Sequence, residues 1–189
     1  AAAMELDPSF CENLKGMVIM GGSLRAGGNI TPAAEANFYH DPHAADFVLR
    51  HGCNITLVGL DVTNRVICPR SFFARLASES PKMGGLLHDM AEFYIDFYET
   101  VGKFAGCGMH DPSALVACIA PELFTTEPHA LRVALSGDRS GELIAEAATI
   151  TSALARITSI APARSDGSSV RRKFSSGATR CRRALRTLM

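Results

Sequence analysis

Hydrophobic and polar positions along the first sixty residues predict strands and helices in alternation. Apolar and β-branched runs at Met17–Met20 and Asn54–Leu60 predict two buried strands. Between them, Pro42–His51 carries apolar residues near one face, with Asp41 as an expected N-cap, a proline at the first helical position, and Gly52 just past the end. Strands that alternate with helices predict an α/β fold with parallel strand pairs.

The middle of the chain predicts two further helices and a strand pair. A short helix is expected over Pro69–Ala77, and a longer one begins at Pro81 and runs to about Phe104. Two strands are expected at Leu131–Leu135 and Gly141–Glu146, joined by a turn. The longer helix carries an apolar stripe at helical spacing that we expect to pack in the core: Leu86, Met90, Phe93, Phe97 and Val101.

The most distinctive stretch is the loop after the first strand, MGGSLRAGGNITPAAEANFYHDP at 20–42. Its glycines allow the backbone to turn tightly and to approach a ligand closely. Asn29, Glu35 and Asn37 follow within nine positions. Two amides and a carboxylate so close together can bind adjacent hydroxyl groups, because each amide both donates and accepts hydrogen bonds. A surface turn is the alternative interpretation.

This segment resembles the inosine–uridine preferring nucleoside hydrolase family, whose members carry a matching MGG…GN-x-TPAAE-x-N…DP pattern. Met109-His110-Asp111-Pro112 resembles the family's HDP motif, and Asp61-Val62-Thr63 resembles part of its LDVT motif. The resemblance runs from about residue 1 to about residue 146. It implies an α/β fold with an open, mainly parallel, Rossmann-like sheet and flanking helices, truncated at the N-terminus so that the first strands are missing.

The resemblance also implies a chemistry, namely hydrolysis of the N-glycosidic bond of ribonucleosides of the inosine and uridine type, assisted by Ca²⁺. Its implied ribose-binding residues are Asn29, Glu35 and Asn37, with Met20 lining the sugar pocket, His110 on the side of the leaving base, and Asp111 as a calcium ligand. Without the resemblance, residue type and position leave an alternative for two of these residues. Met20 could be a core residue, and Asp111 could be the N-cap of a helix that begins at Pro112.

Two departures from the family pattern limit the expected activity. Ala36 stands where relatives often carry an aromatic residue, which leaves the substrate preference open. Tyr94 and Tyr98 could lie beside the base, but we expect both on a solvent-exposed face of their helix. The family's D-x-D-x-x-x-D-D motif, which supplies the general base and two calcium ligands, has no counterpart in this sequence. We therefore expect little or no activity from this chain alone, and a ribose- or nucleoside-binding pseudoenzyme is the alternative function.

Charge divides the chain into two unequal parts. Residues 151–189 hold nine basic residues and one acidic residue, a net +8, which balances −8 over residues 1–150. The segment is rich in Ala, Arg and Ser and lacks sustained periodicity, which is typical of disorder. We expect a partial nucleoside hydrolase domain at 1–148 and a basic, disordered, dispensable tail at 149–189. A basic arm that binds nucleic acid or anionic lipid is the alternative.

The remaining features of the sequence concern membrane insertion, the state of the cysteines and the expected partners. No run of about 18 uncharged apolar residues occurs, so a transmembrane helix is not expected. Six cysteines without C-x-x-C spacing predict reduced, mostly buried thiols, as in a cytoplasmic protein, and argue against a zinc site. The expected partner is a ribonucleoside, with no membrane and no nucleic acid, and a homo-oligomer is compatible with the sequence.

Overall fold

A computed structural model describes residues 1–101, 105–147 and 154–160 of the chain. Its strands are β1 (Met17–Met20), β2 (Ile55–Val58), β3 (Ile67–Cys68), β4 (Cys107–Gly108), β5 (Phe124–Val133), β6 (Leu143–Glu146) and β7 (Leu154–Ile160). Its helices are α1 (Ala2–Leu6), α2 (Ala36–His40), α3 (Pro42–His51), α4 (Leu60–Thr63), α5 (Arg70–Glu79), α6 (Pro81–Thr100) and α7 (His110–Ile119), and a 3₁₀ turn covers Pro121–Leu123.

The central sheet has five strands in the order β1-β2-β7-β5-β6. The pairs β1–β2 and β2–β7 are parallel, whereas β5 runs antiparallel to both β7 and β6. Met20 pairs with Val58, so β1 and β2 end together at one edge of the sheet. The open sheet with flanking helices confirms the predicted α/β class, and the carboxyl edge of β1 and β2 is where such sheets present ligand-binding loops.

Several predicted elements form where the sequence placed them. The strand Met17–Met20 and the helix Pro42–His51 have the predicted bounds, and the carboxylate of Asp41 accepts a hydrogen bond from the backbone N–H of Ala44 at 2.9 Å. The second strand is shorter than predicted. It ends at Val58, and the residues that follow Gly59 turn into α4.

Apolar side chains cover both faces of the sheet. On one face, α2 and α3 contribute Phe38 and Leu49 to a cluster with Ile55, Leu57 and residues of β5, β6 and β7. On the other face, Val58 and Val62 pack with Ala117 of α7. A separate cluster joins α5 and α6 to the small β3–β4 sheet through Phe73, Ala91, Ile95 and Cys107. The cluster of Val58, Val62 and Ala117 packs α4 and α7 against β1 and β2.

The expected disordered tail at 149–189 is wrong for the residues of β7. Leu154–Ile160 forms an interior strand between β2 and β5, with Ala155, Ile157 and Thr158 buried. The basic composition that suggested disorder comes mainly from residues 171–189, and averaging over the whole segment concealed a short apolar, β-branched strand. The rest of the predicted tail lies outside the described residues.

The apolar stripe of α6 is not in the core, contrary to the expectation. Phe93 is 80% exposed, and Leu86, Met90, Phe97 and Val101 are also exposed. The buried face of α6 instead carries Gly84, Ala91, Ile95 and Tyr98. A Cβ atom at Gly84 would lie 1.9 Å from the carbonyl oxygen of Leu76 on α5, so close helix packing selects small residues inward. The large apolar residues are left on the outward face.

The cysteines are less buried than expected. Among the five described, Cys107 is buried, Cys118 is exposed, and Cys11, Cys53 and Cys68 are half-buried free thiols. No helix in the described ranges has both the length and the apolar character that crossing a membrane requires.

Candidate functional site

The glycine-rich loop is held to the sheet edge by Asp61 of α4. The carboxylate of Asp61 accepts hydrogen bonds from the backbone N–H groups of Leu24 at 2.8 Å, Arg25 at 2.7 Å and Ala26 at 3.0 Å. The backbone N–H of Leu60 donates to the carbonyl oxygen of Gly22 at 3.0 Å. Three donors on one carboxylate form a charge-assisted anchor, so α4 fixes the path of the loop after β1.

Glu35 performs a local task that the sequence analysis did not foresee. It is the N-cap of α2 and is only 2% exposed. Its carboxylate accepts hydrogen bonds from the backbone N–H groups of Gly22 at 2.9 Å, Asn37 at 3.0 Å and Phe38 at 3.3 Å. The carboxylate therefore ties the start of the loop to the start of α2. The spacing that suggested a sugar ligand also fits this cap, and the ribose-binding role of Glu35 stays a prediction.

The two asparagines join the same loop. The side-chain oxygen of Asn29 accepts from the backbone N–H of Ala36 at 2.9 Å, which closes the loop across seven residues. The side-chain amide of Asn37 donates to the sulfur of Met20 at 3.3 Å. Met20 is the last residue of β1, so Asn37 lies directly at the carboxyl end of that strand. The structure thus brings Met20, Asn29, Glu35 and Asn37 together.

A second group forms around His110, the first residue of α7. Nδ1 of His110 lies 2.7 Å from the hydroxyl oxygen of Thr63, and Nε2 lies 2.9 Å from the hydroxyl oxygen of Tyr98. The hydroxyl of Tyr98 lies 3.2 Å from that of Tyr94. Contacts at both ring nitrogens fix the orientation of the imidazole, and hydroxyl groups can donate or accept on either side.

Tyr98 was expected on a solvated face, and this expectation is wrong. The side chain is 7% exposed and faces His110, because the close packing of α5 on α6 turns this side of the helix inward. Burial, followed by the hydrogen bond to Tyr94, raises the pKa of Tyr98 above its ordinary value. The phenol therefore keeps its proton throughout the neutral range and remains a hydrogen-bond donor.

Asp111 follows His110 and is exposed in the first turn of α7. The helix begins at His110, with Met109 as its N-cap, so the alternative of Asp111 as the cap of a helix starting at Pro112 is wrong. Asp111 remains a candidate metal ligand by its oxygen chemistry. Across the described ranges, however, no group of three or more His, Cys, Asp or Glu side chains is placed to hold a metal ion.

Helix α4 connects the two groups. Asp61 near its start holds the glycine-rich loop, and Thr63 at its end contacts His110. Only Gly59 separates the end of β2 from the start of α4. Both contacts therefore lie at the carboxyl edge of the sheet. In the sequence, Asp61-Val62-Thr63 of this helix stands out only through its resemblance to the family's LDVT motif. The location of α4 directly after a buried strand is the sequence feature that could have indicated a role in a binding site.

Comparisons with known proteins agree with the family resemblance. Residues 1–169 match the sequence profile described as inosine-uridine preferring nucleoside hydrolase. The chain is 38% identical to uridine nucleosidase 1 of Arabidopsis thaliana over 137 residues, and 33% identical to the inosine-uridine preferring nucleoside hydrolase of Leishmania major over 141 residues. Each alignment covers 72% of this chain.

A solved structure matches the fold. The purine-preferring ribonucleoside hydrolase from Gardnerella vaginalis superimposes with a TM-score of 0.77 at 32% sequence identity, covering 95% of this chain and 55% of that one. The two sequence relatives are covered over only 41% and 43% of their own lengths. The chain thus spans less than half the length of the curated relatives that it matches.

Proposed function

The chain belongs to the family of inosine-uridine preferring nucleoside hydrolases, and we propose that the edge formed by β1, β2, α4 and α7 is part of a ribonucleoside site. The reaction is hydrolysis of the N-glycosidic bond to ribose and free base. The observation that carries the proposal is the bridge formed by α4, which ties the asparagine-bearing loop and His110 to one sheet edge through Asp61 and Thr63. The names of the relatives support uridine and inosine as first substrates.

The loop residues would bind the sugar. The side-chain amide of Asn37 lies at the carboxyl end of β1. That of Asn29 lies on the glycine-rich loop and accepts a hydrogen bond from Ala36, the first residue of α2. Each amide can accept from one hydroxyl and donate to another, which suits the adjacent hydroxyls of ribose. Glu35 would act chiefly as a positioning residue, because its carboxylate already accepts three backbone N–H groups.

His110 and Tyr98 would act on the side of the leaving base. Cleavage of the glycosidic bond leaves negative charge on the departing base, and a proton delivered there lowers the barrier. The Tyr98 hydroxyl lies against Nε2 of His110, so a proton from His110 would pass through that phenol. In this relay the Tyr98 hydroxyl would accept the proton of Nε2 while its own proton passes to the base.

Calcium is a further part of the proposal. Asp111 would supply one carboxylate ligand, whereas Ca²⁺ takes about six to eight oxygen ligands. The remaining ligands, together with the base that activates water, would come from the part of the family's length that this chain does not span. A cytoplasmic location also belongs to the proposal and is supported by the five described cysteines, all free thiols.

The test is base release from uridine and inosine. We expect no measurable turnover by the purified 189-residue chain with Ca²⁺ present, and turnover once a family segment carrying the Asp-rich motif is fused or added in trans. In the restored protein, His110→Ala should lower kcat by about 10²–10⁴-fold, the range for a lost acid–base group. His43→Ala, an exposed histidine on α3, is the matched control.

The alternatives give distinct results. Nucleoside binding without turnover in the restored protein would favour the pseudoenzyme. Turnover by the 189-residue chain alone would show that another carboxylate of this chain activates the water. Absence of both binding and turnover in a folded, restored protein would contradict the proposed site.

A further inference from the structure

Two thiols lie directly opposite each other in the small antiparallel sheet. Cys68 of β3 pairs with Cys107 of β4, beside the pair of Ile67 and Gly108. Directly opposed residues of an antiparallel pair point to the same face of the sheet. Both thiols accordingly pack in the cluster shared with α5 and α6, in which Cys107 is buried and Cys68 is half-buried.

The separation expected for such a pair is close to that of a disulfide. Opposed residues have Cβ atoms about 4.5–5.5 Å apart, and a disulfide joins Cβ atoms about 3.5–4.5 Å apart. A movement of about 1 Å between the strands would therefore bring the two sulfur atoms within bonding distance. β3 and β4 have two residues each and form a sheet of their own, so they can adjust without breaking a pairing of the central sheet.

We propose that Cys68 and Cys107 are a site of reversible oxidation, at which a low-molecular-weight disulfide joins the two strands through a Cys68–Cys107 bond. Cys68 is the more exposed thiol and reacts first. Its thiolate attacks one sulfur of the small disulfide, and a small thiolate leaves. The thiolate of Cys107 then attacks the sulfur of Cys68 and releases the second small thiolate. Two protons leave the cysteines, and two electrons reduce the small disulfide to two thiols.

Burial makes the reaction of this pair slow. It raises the pKa of both thiols, and the proximity of Cys68 raises that of Cys107 further. Only the thiolate attacks a disulfide, and its fraction at neutral pH falls as the pKa rises. The pair therefore resists a brief pulse of oxidant and responds to sustained oxidation.

The bond would act on the residue that begins α7. A Cβ atom at Gly108 would lie 2.9 Å from Nε2 of His110, so the imidazole packs directly on the backbone of β4. The backbone N–H of Met109 donates to the carbonyl oxygen of Val66 at 2.9 Å, which extends the strand pair to the start of α7. A shift of about 1 Å in β4 would therefore alter the 2.9 Å contact between Nε2 and the hydroxyl of Tyr98.

The effect on turnover rests on the proposed function. The proton for the leaving base would pass from Nε2 of His110 to Tyr98, and the bond would displace that contact. A misplacement of about 1 Å costs on the order of 10–100-fold in rate. We expect oxidation to lower kcat of the restored protein by about this factor, and dithiothreitol to return it.

The first test is a peptide map of the folded 189-residue chain without reduction. The reduced chain is incubated with glutathione disulfide, free thiols are blocked with N-ethylmaleimide, and the digest is analysed by mass spectrometry. We expect one cross-linked peptide pair that carries residues 68 and 107 and is lighter than the two reduced peptides by two hydrogen atoms. Dithiothreitol should return the two free peptides.

Serine variants check the order of the two steps. Cys107→Ser should retain glutathione on Cys68, because the second thiol is absent. Cys68→Ser should give neither the cross-link nor an adduct at the buried Cys107, and its half-buried position keeps the test available if Cys107→Ser unfolds the chain. The matched control is Cys118→Ser, which removes an exposed thiol on α7 and should leave the cross-link unchanged.

The ¹⁵N shifts of the His110 imidazole test the link to the site without any turnover. Oxidation should change the shift of Nε2 in the unmodified chain and in Cys118→Ser, and leave it unchanged in Cys68→Ser. A restored protein that lacks turnover would contradict the proposed function, while the cross-link and the shifts in the 189-residue chain would still support the inference.

Three results would overturn the inference. One is a folded, oxidised chain in which Cys68 and Cys107 remain free or carry only separate glutathione adducts. Another is a cross-link that joins either residue equally often to other cysteines, which would make the reaction nonspecific. The last is a Cys68–Cys107 bond that leaves the shifts of His110 unchanged.

Discussion

The hydroxyl oxygen of Thr63 lies 2.7 Å from Nδ1 of His110, although 47 residues separate the two along the chain. Thr63 is fully buried at the end of α4, directly beyond β2. The buried hydroxyl either donates to Nδ1 or accepts from it, and its removal changes the environment of that nitrogen alone. The contact therefore connects the sheet edge directly to His110, the residue expected beside the leaving base.

Replacing Thr63 with valine should change the environment of Nδ1 of His110. Valine nearly preserves the volume and removes the hydroxyl, at a cost of about 1 kcal/mol in the free energy of unfolding. We expect the ¹⁵N shifts of Nδ1 and Nε2 of His110 to change, because Nδ1 loses its hydroxyl partner while Nε2 keeps that of Tyr98. Thr158→Val is the matched control, because Thr158 is also buried and its hydroxyl donates to the carbonyl oxygen of Leu57 instead. Equal shifts in both variants would contradict the link.

Neutralising Asp61 should loosen the glycine-rich loop. Its carboxylate accepts three backbone N–H groups, those of Leu24, Arg25 and Ala26, and Asp61→Asn removes the charge that strengthens them. We expect a loss of about 1–2 kcal/mol in local stability and hence about tenfold or faster hydrogen exchange of those amides. Asp138→Asn, on the exposed turn between β5 and β6, should leave their exchange unchanged. Unaltered exchange in Asp61→Asn would show that the loop is held by other contacts.

The sequence predicted the elements whose signals are local. The strand Met17–Met20 has no interrupting polar residue, and the helix Pro42–His51 has a cap, a first-position proline and a terminal glycine. Both have the predicted bounds. The family motifs likewise identified the loop and His110 as site candidates. These signals depend on neighbouring residues, so the sequence contains them in full.

The misses depend on contacts between distant segments. The apolar stripe of α6 has the period of a core-facing helix, and only the close approach of α5 at Gly84 decides that smaller residues face inward. The same packing places Tyr98 beside His110 rather than in solvent. Strand β7 was hidden because basic residues further along, at 171–189, set the average composition of its segment, whereas its neighbours in space are β2 and β5.

The thiols should differ in reactivity along the chain. Burial raises the pKa of both Cys68 and Cys107, which face each other across the β3–β4 pair, while Cys118 is exposed. A raised pKa lowers the thiolate fraction at a given pH, and only the thiolate is alkylated readily. In a brief iodoacetamide pulse at pH 8, peptide mass spectrometry should find that, of the five described cysteines, Cys118 is labelled first and Cys107 last. Labelling at equal rates in the folded chain, with a denatured sample as reference, would contradict the burial of this pair.

The last prediction separates the two groups of the site by kinetics in the restored protein. Asn37→Ala removes an amide at the end of β1 and should raise KM for uridine about tenfold with a smaller change in kcat, as for a lost sugar hydrogen bond of about 1.4 kcal/mol. Asp111→Ala should abolish turnover at the Ca²⁺ concentration that saturates the unsubstituted protein, because a methyl group cannot replace a carboxylate ligand.

Asn13→Ala, an exposed asparagine in the turn after α1, is the control for the asparagine substitution and should leave both kinetic constants unchanged. If Asn37→Ala lowers kcat alone, the amide acts on the transition state rather than in ground-state binding of the sugar. If Asp111→Ala retains full turnover with an unchanged calcium dependence, Asp111 is no metal ligand. In that case the charge of Asp111 in the first turn of α7 would only stabilise the helix, because a helix N-terminus favours a negative charge.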